Sequence, residues 1–184
     1  VTLKNPDGEQ TTLQAAFQYT VAPVVRRVVP SIGPVRGGTE ITLIGENFAR
    51  EAIVMFGEEK LTDVKVLSST EISAITPPMG AQSVNLVVRN PDGQQGLLTD
   101  GFTYLLPPQV TKITPTRGPK AGGTDITIFG ENFAEGAVVT IGGVEATGVA
   151  VASDTLIVAK TPVGEGGARD VVVRNPDGQT TQLT

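Results

Sequence analysis

The chain has 184 residues, 14 Lys and Arg against 19 Asp and Glu for a net charge of −5, and 39% hydrophobic against 18% charged residues. That balance is too apolar for a disordered chain and too acidic for a phosphate-backbone binder, which needs clustered Lys and Arg, so no nucleic-acid partner is expected. Cysteine and histidine are both absent, which excludes zinc held by Cys and His, thiol chemistry and a Ser-His-Asp triad.

Residues 1–20 begin in mid-pattern. Their Asn5-Pro6-Asp7-Gly8 and Phe17-Gln18-Tyr19 segments recur 85 residues later as Asn90-Pro91-Asp92-Gly93 and Phe102-Thr103-Tyr104, so they read as the C-terminal fragment of a preceding module. Any targeting segment is expected outside this sequence, and no run of eighteen apolar residues is present to insert in a membrane.

Residues 21–105 read as one complete module. Apolar side chains alternate at the two-residue period of half-buried strands, as in Ile41 and Leu43, Val64 and Val66, Ile72 and Ala74, and Leu86 and Val88. Thr42, Lys65 and Ser73 take the places between. The pattern predicts about seven short strands, near 24–29, 39–45, 52–57, 60–67, 70–75, 83–89 and 97–104, and no helix. Strands must then pack on strands, which makes an all-β sandwich the economical fold. Gly33-Pro34 followed by Gly37-Gly38-Thr39 predicts a tight loop between the first two strands, where adjacent glycines permit close backbone approach. Asn90-Pro91-Asp92-Gly93 predicts a type I turn between the last two, with Pro91 where its fixed φ is already correct and Gly93 where φ must be positive.

Residues 106–184 repeat this order without a gap. Pro30, Gly33, Pro34, Gly37, Gly38 and Thr39 return as Pro115, Gly118, Pro119, Gly122, Gly123 and Thr124. Gly45 to Ala49 return as Gly130 to Ala134, and Asn90-Pro91-Asp92-Gly93 as Asn175-Pro176-Asp177-Gly178. This module reads as lacking its last strand residues, the Phe-Xaa-Tyr segment. The junctions Thr20-Val21-Ala22-Pro23 and Leu105-Leu106-Pro107-Pro108 are short and stiffened by proline, which predicts a semi-rigid rod in which each module's neighbours in the chain are partners.

The eight aromatic residues occupy repeated or aliphatic-equivalent positions and read as core, with Phe48, Phe102, Tyr104 and Phe133 foremost. Asn47 and Asn132 read as residues that hydrogen-bond the turn after the second strand. Glu46 and Asn47 with Asp92, and their counterparts, do not converge as calcium ligands do, and no metal or other cofactor is expected. The pair Glu58-Glu59 is not kept in the second module. With Lys60 and Lys65 it reads as solvated edge charge rather than as a hydrolytic carboxylate pair. Arg26, Arg27 and Arg36 form the densest basic group, and the segments 78–83 and 163–168 differ most between modules.

The order Pro-Xaa-Xaa-Gly-Pro-Xaa-Xaa-Gly-Gly-Thr, then Ile-Thr-(Leu/Ile)-(Ile/Phe)-Gly-Glu-Asn-Phe, Thr-Pro, Val-Xaa-Asn-Pro-Asp-Gly and Gly-Phe-Thr-Tyr resembles the IPT/TIG domain family along the whole chain. The resemblance implies an early-set immunoglobulin-like fold, as in plexin-type receptors, Rel-type transcription factors, some starch-acting transferases and many bacterial surface proteins. Cysteine-free, acidic tandem copies most resemble the last group. The expected function is therefore non-enzymatic, a stalk or protein-interaction array at a bacterial cell surface. One alternative is an accessory domain of a secreted polysaccharide-acting enzyme, with a cell-surface glycan as partner. Another is a filament subunit that self-associates by strand complementation through its end modules.

Overall fold

The periodicity of the sequence resolves into β-strands and no helix over residues 1–183, which the computed structural model of the chain describes; Thr184 lies outside the described residues. The first hairpin, β1 (Thr2–Lys4) and β2 (Gln10–Thr12), pairs Leu3 with Thr11 and has no sheet to join. Every residue from 1 to 20 is exposed.

The 21–105 module carries β3 (Val24–Val29), β4 (Ile32–Pro34), β5 (Glu40–Glu46), β6 (Ile53–Phe56), β7 (Glu59–Lys60), β8 (Thr62–Ser68), β9 (Glu71–Ile75), β10 (Ser83–Arg89) and β11 (Gln95–Leu105). One sheet runs β3-β5-β9-β8 and the other β4-β11-β10-β6-β7. The inward residues of both are those of the alternating pattern. Ile41 sits opposite Ala74 and Leu43 opposite Ile72 in the first sheet, while Leu86 faces Phe56 and Val88 faces Val54 in the second. Sixteen buried apolar residues form this core, and Phe56, Phe102 and Tyr104 stack within it with ring centroids 5.0–6.2 Å apart. Apolar residues on two facing sheets can leave water only between them, which is why the period of two suffices to build a sandwich.

Two strands are additional to the seven read from the sequence. Glu59–Lys60 closes a two-residue edge hairpin on β6. The segment expected as a loop through Gly33-Pro34 is in part a strand: Ile32–Pro34 runs parallel to β11, with Thr103 opposite Ile32 and Leu105 opposite Pro34. Its three residues have no alternation and include a proline, which can sit here because β4 is an edge strand.

The 106–184 module repeats the plan with β12 (Gln109–Thr114), β13 (Asp125–Glu131), β14 (Val138–Ile141), β15 (Val144–Glu145), β16 (Thr147–Ser153), β17 (Leu156–Lys160), β18 (Val171–Arg174) and β19 (Thr180–Leu183). Its sheets run β12-β13-β17-β16 and β15-β14-β18-β19. Arg117–Pro119, aligned with β4, is not a strand, and among the described residues ten buried apolar side chains make this core, against sixteen in its neighbour. No helix of the described residues is long and apolar enough to cross a membrane.

Candidate functional site

The recurring motifs meet in space at the end of each module that receives the preceding linker. After β5 the chain turns at Asn47, which lies at φ 59°, a left-handed conformation that Asn tolerates better than most residues. Gly45 precedes it because a Cβ there would collide with the Val24 carbonyl and the Phe48 ring. The turn is held from across the module by Asn90, which is buried. The Asn90 Oδ1 accepts from the Ala49 amide at 3.0 Å, and its Nδ2 donates to the Asn47 carbonyl at 2.8 Å. Asn175 is buried likewise and does the same for Ala134 and Asn132 at 3.1 and 2.7 Å. One side-chain amide thus supplies both a donor and an acceptor to backbone groups that no strand ladder reaches.

Asn90 also opens its own turn, since the Gly93 amide donates to the Asn90 carbonyl at 2.9 Å and Gly93 has a φ of 88°. The Asp92 carboxylate accepts from the Gln94 amide at 3.0 Å, and Asp7 and Asp177 accept equivalently from Glu9 and Gln179. At the other end of the sandwich core, the Gly37-Gly38-Thr39 loop packs on Thr76-Pro77. The buried Thr76 hydroxyl accepts from the Thr39 amide at 3.1 Å, and a Cβ on Gly37 would strike the Pro77 backbone. Gly122, Gly123 and Thr124 meet Thr161 and Pro162 in the same way.

Asn47 and Asn132 do not bond the turn that follows the second strand, as their sequence context suggested. Their side chains donate to the linker instead, Asn47 to the Ala22 carbonyl at 3.1 Å and Asn132 to the Pro107 carbonyl at 3.0 Å. The left-handed backbone at each residue turns its side chain toward the incoming chain. The Asp-Gly-Gln tip joins them. Gln94 donates to the Thr20 hydroxyl at 2.9 Å and Thr20 donates to Asp92 at 2.5 Å, a contact that, with Gln94, lowers the Asp92 carboxyl below its ordinary value. Gln179 donates to the Leu105 carbonyl at 3.0 Å. Gly96 lies against the Pro23 carbonyl so closely that a side chain there would collide with it. Each linker is thus gripped by the module that follows it.

Other candidates fall outside this arrangement. Phe48, Phe102, Tyr104 and Phe133 are buried, and the Tyr104 hydroxyl donates to the Pro77 carbonyl at 2.8 Å, with burial raising its pKa. Phe17 and Tyr19, read as core from the sequence, are instead 69% and 91% exposed and pack edge to face on each other at 4.9 Å. Glu46 is paired with Arg26 at 2.6 Å, and among the described residues no group of three or more carboxylates is placed to hold a metal. Glu58, Glu59, Lys60 and Lys65 are exposed.

Facing sheets, repeated along one chain through gripped linkers, define a tandem array of immunoglobulin-like β-sandwiches. The IPT/TIG domain model matches residues 23–104 and again 108–184, and the chain belongs to that family. It is 28% identical over 163 residues to human Fibrocystin-L and 27% identical over 142 residues to the mouse protein. Those alignments cover 85% and 73% of this chain but only 4% and 3% of the relatives. Among solved structures, the Plexin A4 extracellular region, domains 1 to 10, matches with a TM-score of 0.55 at 21% identity, covering 95% of this chain and 16% of that one. At that identity the likeness is one of fold.

Proposed function

We propose that this chain is a non-enzymatic spacer and protein-interaction array at a cell surface, in which each sandwich sets length and the gripped linkers set direction. The observation that carries the reading is the repeated linker grip, Asn47 on Ala22 and Gln94 on Thr20 at one junction, Asn132 on Pro107 and Gln179 on Leu105 at the next. A linker tied at two points by the following module has lost most of the rotational freedom that a flexible tether keeps. The 78–83 and 163–168 segments are the places where modules differ and where partners are proposed to bind.

The absence of native cysteine makes the test direct. Spin labels on Lys60→Cys and Glu145→Cys, aligned exposed positions of the two modules, should give one narrow distance distribution. A broad distribution like that of a flexible tether would overturn the spacer reading.

A second reading, self-association by strand complementation, is favoured by the exposed Phe17 and Tyr19, which align with the Phe102 and Tyr104 that fill the core of the 21–105 module. Light scattering over a range of concentrations should then show growth that Phe17→Ser with Tyr19→Ser abolishes, and a persistent monomer would exclude it. The polysaccharide-accessory alternative has less support, because only Phe17 and Tyr19 among the aromatic residues are exposed enough to stack on a sugar ring.

A further inference from the structure

The outer face of the sheet β12-β13-β17-β16 is apolar where the matching face of its neighbour is not. Ile126, Ile128, Ile157 and Ala159 point into the core, so Thr127, Phe129, Leu156 and Val158, which alternate with them, point out. Phe129 lies directly opposite Leu156, and Val158, 38% exposed, lies opposite Ala150 on the edge strand. The 21–105 module carries the same four strands in the same order, β3-β5-β9-β8, and there Ile44 is opposite Glu71 and Ser73 opposite Lys65. At the aligned positions Lys65, Glu71 and Ser73 are replaced by Ala150, Leu156 and Val158. Charges on a solvated sheet oppose its pairing with another, whereas apolar side chains gain by leaving water.

The charges that remain stand at the two sides of this face. Lys112 on β12 heads the row Lys112, Phe129, Leu156, Ser153, with its Nζ 5.8 Å from the centre of the Phe129 ring. Asp154 lies in the turn that joins β16 to β17, at the other side of the same row, where the neighbouring module has Ser69. Both are exposed, and among the described residues neither has an oppositely charged group within 4 Å. At about 4.8 Å per strand, β12 and β16 are about 14 Å apart, beyond the reach of a Lys-Asp contact within one copy.

A second copy supplies both partners. A two-fold axis parallel to the strands and between the faces sets β12 of one copy over β16 of the other and β13 over β17, so that Phe129 meets Leu156 and each Lys112 meets the Asp154 of the other copy. The same operation on the 21–105 module would set the Glu71 carboxylate against the Ile44 side chain, at the cost of its hydration. We propose that the outer face of β12-β13-β17-β16 pairs with the same face of a second copy of this chain, as a two-fold dimer held by Phe129, Leu156 and Val158 and steered by two Lys112-Asp154 pairs. Four strands of about five residues make a flat area of about 300 Å², well below the roughly 800 Å² per partner of a standard interface, so the pair is weak, with a Kd of about 0.1 mM or above. Such a contact acts between copies already held side by side. The inference goes beyond the spacer reading, whose distance measurement on dilute chain does not depend on it.

The test is sedimentation velocity of the 184-residue chain from about 10 μM to about 1 mM, a range that brackets the expected Kd. A reversible monomer-dimer equilibrium is expected, weakened about tenfold or more by Leu156→Glu with Val158→Ser, the residues that the other module carries at these positions. Lys112→Asp should weaken it, and Lys112→Asp with Asp154→Lys should restore it, a recovery that a merely structural effect of the substitutions would not give. An unchanged circular dichroism spectrum checks that each variant keeps the fold. Phe17→Ser with Tyr19→Ser should leave the dimer unaltered, which separates it from strand complementation. The proposal is overturned by a monomer over the whole range, by a dimer that Leu156→Glu with Val158→Ser forms equally well, or by no recovery in the charge-exchanged variant. It is also overturned by association that the Phe17 and Tyr19 substitutions abolish.

Discussion

Replacing Asn90 with Ala tests whether one buried amide holds the motif-bearing end of a module together. The change removes the acceptor of the Ala49 amide and the donor to the Asn47 carbonyl. An orphaned backbone group in a dry site costs about 1–3 kcal/mol, and Ala49 is half-buried while Asn47 is exposed, so the sum is expected near the lower part of the range, about 2–4 kcal/mol. Against the 5–15 kcal/mol typical of a domain this is a large fraction. Asn90→Asp should cost at least as much, because the new oxygen would face the Asn47 carbonyl in place of a donor. Asn175→Ala should lose a similar amount from the 106–184 module, since its side chain makes the same two bonds. Urea titration followed by circular dichroism, with Tyr104 fluorescence marking the 21–105 transition, measures each loss. A cost below about 0.5 kcal/mol for Asn90→Ala, the range of ordinary surface changes, would refute the clamp.

Burial raises the Tyr104 pKa above its ordinary 10.0. The protonated hydroxyl is therefore favoured by folding, so its contribution is complete below about pH 10 and lost as pH rises through the folded value. Unfolding of the 21–105 module should become easier above that pH, Tyr104→Phe should remove the dependence, and the tyrosine-free 106–184 module is the internal control. Gly45→Ala should destabilise by about 3 kcal/mol through collision with the Val24 carbonyl and Phe48, whereas Gly38→Ala, with φ 80° and open space around it, should cost only about 1 kcal/mol in thermal unfolding. Gln179→Ala should leave unfolding within about 0.5 kcal/mol and instead broaden the spin-label distance distribution between modules, since its bond to the Leu105 carbonyl ties the linker rather than the core.

Strand positions such as Ile41, Leu43, Ile72 and Leu86 were legible because alternation is local and burial follows from it, and the Asn-Pro-Asp-Gly turns because their chemistry is contained in four residues. Asn90 reads in the sequence only as the first residue of a turn. Its second role depends on Asn47 and Ala49, more than forty residues away, and one signal pointed to it: the Gly-Glu-Asn-Phe-Ala and Asn-Pro-Asp-Gly segments recur together in both modules. The linker bonds of Asn47 and Asn132 were hidden for the same reason, since nothing local distinguishes a turn amide from one aimed at the incoming chain. Phe17 and Tyr19 share the spacing of Phe102 and Tyr104 yet lie exposed, because spacing alone does not place facing strands around them.

The parallel pairing of Ile32–Pro34 with Thr103–Leu105 has a mechanical consequence. Thr103–Leu105 is the exit of the 21–105 module and Ile32–Pro34 follows β3 at its entry, so once β3 has yielded, tension pulls the two segments in opposite directions along a common axis. The bonds between Thr103 and Ser31 and between Val35 and Leu105 are then loaded in shear and must rupture together, whereas a hairpin pulled from its open end unzips one rung at a time. A module that carries this pairing opposes stretching through these few rungs in addition to its core.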